Sequence, residues 1–236
     1  MKNTLLATAL AAGLAASPAL AEELSPRIMV SGTGQAALAP DLAILSLSVM
    51  REAETAREAL DANNAAMGDV LDAMKAEGIA ERDLQTSGFS INPRYVYPKA
   101  SDGGDQTPKI VAYQVVNNLT VRVRDIAKVG AVLDKSVTLG VNQGGSVSFG
   151  NDDTTAALSE AREKAMADAI AKAGTLAKAA GVKTGKVLEI TENVNYARPE
   201  PLARAMTMKA EADAVPLAAG ENSYSVTVDV TFAIDQ

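Results

Sequence analysis

From Tyr224 to Ile234 the chain alternates without a break. Tyr224, Val226, Val228, Val230, Phe232 and Ile234 take every second place, and Ser, Thr, Asp and Ala fill the places between. A period of two puts all six large apolar side chains on one face of a strand, and that face has to be covered by a second layer. The same period runs through residues 41–52, where Ala43, Leu45, Leu47 and Val49 share a face, and through residues 110–124, where Val111, Tyr113, Val115, Leu119, Val121 and Val123 do. Further extended segments are predicted at 27–35, 84–97, 145–149 and 187–196.

Between these segments the period becomes helical. Leu60, Met67, Val70, Leu71 and Met74 predict a helix over 56–77, opened by a capping box of Thr55 and Glu58 and stopped by Gly78. Leu158, Ala165, Ala169, Ala173 and Leu176 stripe a second long helix over 158–180, stopped by Gly181, with Glu160–Lys164 and Asp168–Lys172 paired on its outer face. Asp125 caps a short helix, 126–139, closed by Gly140. The fold class that follows is α+β, with long helices packed on a largely antiparallel sheet.

Each half of the chain reads strand, long helix, strand, Pro-bearing loop, strand. Gly78-Ile79 answers to Gly181-Val182, and the Leu119–Val123 run answers to Val226–Val230. Two βαββ units, 22–124 and 143–236 joined by the short helix, would follow from an internal duplication. Chance similarity within an α+β chain is the alternative.

The first residues form an export signal. Lys2 is followed by an uncharged run from Leu5 to Leu14, then by Ala19 and Ala21 at the small positions of a small-x-small site. Cleavage is expected after Ala21, leaving one domain over 22–236 that starts at Glu22. The apolar run falls short of the ~20 residues a membrane-spanning helix needs, and no later stretch is apolar enough to span. No Cys follows Ala21, so no lipid is attached there.

Residue types missing from the chain exclude much chemistry. It has no His and no Cys. Ser-His-Asp triads, thiol nucleophiles, the usual zinc and copper sites and haem His ligation are therefore absent, and neither cofactor nor metal is expected. Carboxylate-only and Ser-Lys mechanisms pass this filter. A formal charge of −7, 3% aromatic residues and no Trp argue against nucleic acid as a partner.

Five local patterns have a chemical and a plain reading. Gly32-Thr33-Gly34 imitates a dinucleotide fingerprint, but a strand and not a helix follows it, so the two glycines are read as a bend between strands. Asp102 and Asp105 lie in a polar loop without EF-hand spacing and are read as solvated. Asp152 and Asp153 are read as helix-capping carboxylates. Tyr95 and Tyr97, two apart on a strand, would make a ligand platform or pack across strands in the core, and core packing is expected. Met206 and Met208 would share one strand face in the 201–221 segment, either buried at an edge or serving as a subunit contact that responds to oxidants.

The order of Val30-Ser31-Gly32-Thr33-Gly34, Ile91-Asn92-Pro93-Arg94-Tyr95, Leu119-Thr120-Val121-Arg122-Val123-Arg124-Asp125, Ala203-Arg204-Ala205-Met206 and Gly220-Glu221 resembles the SIMPL-domain (DUF541) proteins, an exported bacterial family that includes a periplasmic immunogenic antigen. The resemblance implies a SIMPL-like α+β fold, a periplasmic or outer-membrane-associated location, homo-oligomers and a link to oxidative stress. It carries no catalytic residues. The expected function is a non-enzymatic, self-assembling envelope protein contributing to stress tolerance. The alternatives are a peptide- or envelope-protein-binding module that adds a strand to an open edge, and a carboxylate-only hydrolase.

Overall fold

A computed structural model describes residues 25–97, 107–193, 200–202, 215 and 217–235. Eight strands and three helices follow in the order β1 (Arg27–Leu38), β2 (Leu42–Ala53), α1 (Ala56–Ala76), β3 (Leu84–Val96), β4 (Lys109–Val123), α2 (Val129–Leu139), β5 (Gln143–Gly150), α3 (Thr155–Ala180), β6 (Lys183–Asn193), β7 (Glu200–Leu202) and β8 (Glu221–Asp235). The α+β class expected from the two periods is what forms: two antiparallel sheets and three helices.

Local signals set the helix ends. Thr55 accepts from the Glu58 N–H and Glu58 reaches back to Thr55, closing the expected capping box. Gly78, Gly140 and Gly181 all have positive φ. After each one the next residue bonds back into its helix, Ile79 to the Met74 carbonyl, Val141 to Ser136 and Val182 to Ala177, all at 3.0 Å. Three helices thus end in one Schellman-type stop, the conformation only Gly adopts without strain.

The first sheet runs β3-β4-β2-β5. Ala43, Leu45, Leu47 and Val49 of β2 and Leu119, Val121 and Val123 of β4 point to one face, where Met67, Val70 and Met74 of α1 and Val129 and Val132 of α2 cover them. Burying each of the larger side chains contributes about 1.5–3 kcal/mol. Asn63 sits inside this core, its Nδ2 donating to the Val49 carbonyl at 2.8 Å and the Val115 carbonyl at 3.2 Å, which ties α1 to two strands. On β4 the outer end departs from the expected face: Val111 is exposed and Ala112 is buried. The register slips between Arg94 and Tyr95 of the paired strand β3, so the alternation is broken there.

The second sheet runs β1-β8-β6, with β7 beside the first residues of β8. Its covered face carries Tyr224, Val226, Val228, Val230 and Phe232 of β8, and α3 lies over it with Ala157, Ala161, Ala165, Ala169 and Ala173. The stripe on α3 is therefore all alanine. Leu176, expected within it, is 51% exposed. Alanine is needed because the layer is thin. A Cβ on Gly32 would lie 2.1 Å from the Ala165 carbonyl oxygen, and one on Gly34 2.1 Å from that of Ala161. Gly32 and Gly34 are thus not a bend. They lie mid-strand in β1, without positive φ, where helix and strand backbones touch.

The strands do not sort by sequence half. β1 joins the second sheet through β8, and β5 joins the first through β2. Beneath each long helix lie three antiparallel strands, β3-β4-β2 under α1 and β6-β8-β1 under α3. A duplication of the kind read from the sequence would have to set β1, not β5, opposite β2.

A polar junction holds the crossing chains. Asn151 donates to the Ala39 carbonyl at 2.6 Å and accepts from Asn222 Nδ2 at 2.9 Å and Tyr224 Oη at 2.8 Å. Asp41 bonds through its N–H to the Gly150 carbonyl at 3.1 Å and through its carboxylate to the Asp152 N–H at 2.8 Å. Burial raises the Tyr224 hydroxyl above its ordinary pKa, so it remains a donor.

Candidate functional site

Titratable groups converge most closely at Arg124. Its guanidinium meets Asp83 Oδ2 at 3.0 Å and Oδ1 at 3.1 Å, and Asp152 Oδ2 at 2.6 Å. The hydrogen bonds from Arg124 hold the buried Asp83 carboxyl below the usual carboxylate range, and the same bonds raise Arg124. A general acid needs the opposite shift. Two carboxylates bridged by a forked arginine make a structural clamp, here between β4 and the start of α3. Asp152 is thus an ion-pair partner and not the expected cap. Asp153 does cap, accepting from the Thr155 N–H at 2.8 Å. Among the described residues no group of His, Cys, Asp or Glu could hold a metal ion, and no helix is long and apolar enough to cross a membrane.

The more distinctive surface is apolar. β2 ends opposite Tyr113, so among the described residues positions 109–112 of β4 pair only with β3 and continue past the sheet as a two-stranded ribbon. A two-stranded ribbon has little stability of its own in water. This one exposes Tyr95, Val96, Ile110 and Val111, and the adjoining Tyr97 is 71% exposed. Core packing of Tyr95 and Tyr97 is overturned: among the described residues β2 ends at Ala53 opposite Tyr113, and the two tyrosines beyond that point stand exposed, although Ala112 beside them is buried. Further down β3, Phe89 and Ile91 continue the exposed apolar surface. A signal was present in the sequence, since Tyr95-Val96-Tyr97 and Ile110-Val111 abandon alternation and make both faces apolar. Contiguous exposure of this kind marks interaction sites.

A second surface is the outer edge of β6, where Val187, Leu188 and Ile190 are exposed and, among the described residues, no strand pairs beyond it. Ala19, Ala21, Asp102, Asp105, Met206 and Met208 lie outside the described residues.

Comparison with known proteins points one way. A family described as "SIMPL: Protein of unknown function (DUF541)" matches residues 28–232. The "26 kDa periplasmic immunogenic protein" of Brucella melitensis is 52% identical over 236 residues, spanning 96% of this chain and 94% of that protein. "Uncharacterized protein YggE" of Escherichia coli is 28% identical over 243 residues, spanning 100% of this chain and 95% of that protein. The protein of the same name in Edwardsiella ictaluri is 31% identical over 208 residues, 86% of this chain and 85% of its own.

Proposed function

This chain belongs to the SIMPL family, and on that premise we propose that it is an exported, non-enzymatic envelope protein that assembles with copies of itself and contributes to envelope or oxidative stress tolerance. The exposed apolar side chains of the β3–β4 ribbon carry the assembly reading. Tyr95, Val96, Ile110 and Val111 expose apolar surface on an element too thin to have a core, and a second protein surface would cover it. The name of the Brucella relative supports the periplasm as the location, with cleavage after Ala21 and a mature chain starting at Glu22. Met206 and Met208 are proposed as further contact residues whose oxidation would weaken association.

Sedimentation velocity of the protein and of Tyr95→Ser/Val111→Ser tests this. A wild type larger than one chain, with smaller species in a folded variant, is the expected result. A monomeric wild type removes assembly, and an unchanged distribution in the variant removes the ribbon as its interface. Intact mass of a periplasmic extract checks the start at Glu22.

The open edge of β6 favours a second reading, a module that takes an extended peptide as an added strand. Binding of an unstructured apolar peptide, lost on Leu188→Pro, would move the function there.

A further inference from the structure

One edge of β1 bonds to β8 and the other faces away from it. Along that outward edge α3 supplies a line of side chains. The Thr33 N–H donates to Asp168 Oδ2 at 2.9 Å, the Ser31 carbonyl accepts from Lys172 Nζ at 2.9 Å, and the Gln35 carbonyl accepts from Lys164 Nζ at 2.9 Å. The contacts advance two residues along the strand, about 6.8 Å, for four residues along the helix, about 6 Å, in opposite directions. The two repeats nearly match, so three rungs form in a row. Lys172 also meets Asp168 at 2.7 Å, and Lys164 meets Glu160 at 2.7 Å. The glycine positions of β1, where a Cβ would strike the α3 backbone, bring the helix close enough for these side chains to reach.

We propose that the Lys164-Asp168-Lys172 ladder is a strand mimic that closes the β1 edge of the second sheet to strand addition by another copy of the chain. Unpaired edges invite such addition, and lysine on an edge is a common protection against it. Here the lysines come from a helix and engage the same carbonyls an incoming strand would use. The Asp168 carboxylate takes the Thr33 donor, and both ammonium groups stay near the edge, where a second copy would bring its own pair of like charge. The inference does not rest on the ribbon reading: the ladder bars one route of association, whatever the ribbon does.

Two measurements test it. In the unaltered protein, hydrogen exchange should find the Thr33 amide at least tenfold more protected than the Ser31 and Gln35 amides, which face the same way and are offered no acceptor by the ladder. Equal exchange at the three overturns the proposal. In the second, Lys164→Ala/Asp168→Ala/Lys172→Ala is compared by sedimentation velocity and far-ultraviolet circular dichroism with Glu163→Ala/Lys178→Ala, which removes exposed charges from the same helix. The ladder variant should gain large species while remaining folded, and the gain should persist when Tyr95→Ser and Val111→Ser are added. A folded ladder variant with the size distribution of wild type overturns the proposal, as does growth abolished by the ribbon changes. Should the ladder variant fail to fold, the exchange comparison decides.

Discussion

The two long helices cover similar sheets in opposite ways. Under α1 the space is filled by side chains, with Met67, Val70 and Met74 set among Leu45, Leu47, Val49, Leu119 and Val121. Under α3 there is little space to fill: its stripe is alanine, and at Gly32 and Gly34 backbone nearly touches backbone. A buried methionine or valine contributes about 1.5–3 kcal/mol and an alanine methyl only about 0.8 kcal/mol. The thin layer makes up part of that difference with the polar ladder on β1, which its close approach allows. A thick core should suffer most from lost volume and a thin one from added volume.

The largest effect is expected from lost volume in the first core. Leu47→Ala should cost about 3–4 kcal/mol by urea unfolding, since Leu47 is fully buried among large neighbours. Next comes Gly34→Ala, which adds a single methyl where the nearest atoms are helix backbone and should cost about 2–3 kcal/mol. A cost under about 0.5 kcal/mol would mean α3 can lift away, and the contrast between the layers would fail. A glycine-to-alanine change in the helix of the thick layer should have the reverse sign. Gly68→Ala adds a methyl to α1 where nothing lies within 4 Å, and a gain of about 0.5–1 kcal/mol in melting experiments is expected.

The smallest effect is a pH effect on the ladder. Lys172 and the Thr33 N–H hold Asp168 below its ordinary value of 3.8. A carboxylate depressed in the folded state adds stability that is fully present above the unfolded value and is lost as pH falls through the folded one. Protection of the Thr33 amide should therefore be constant above about pH 5 and fall below pH 4, while protection of amides in β2 does not follow it. A Thr33 amide whose protection ignores pH would separate Asp168 from the edge.

The sequence by itself determined what neighbouring residues decide. The period of two marked the covered faces of β2 and β8, and the capping box and three glycine stops set helix ends, because each depends on residues within a turn or two. The absence of His and Cys removed whole classes of chemistry without any structure. Tertiary structure decided everything that depends on which segments meet. Gly32 and Gly34 read as a bend because nothing nearby in sequence announces a helix more than a hundred residues later. The Glu160–Lys164 and Asp168–Lys172 pairs were legible as helix pairs, but not as partners of β1. Tyr95 and Tyr97 have the composition of core residues, and only the end of β2 opposite Tyr113 leaves them in water. Sheet membership was also beyond local reading: β1 and β2 are separated by three residues and belong to different sheets. Their partners, β8 and β4, are chosen by packing across the whole chain.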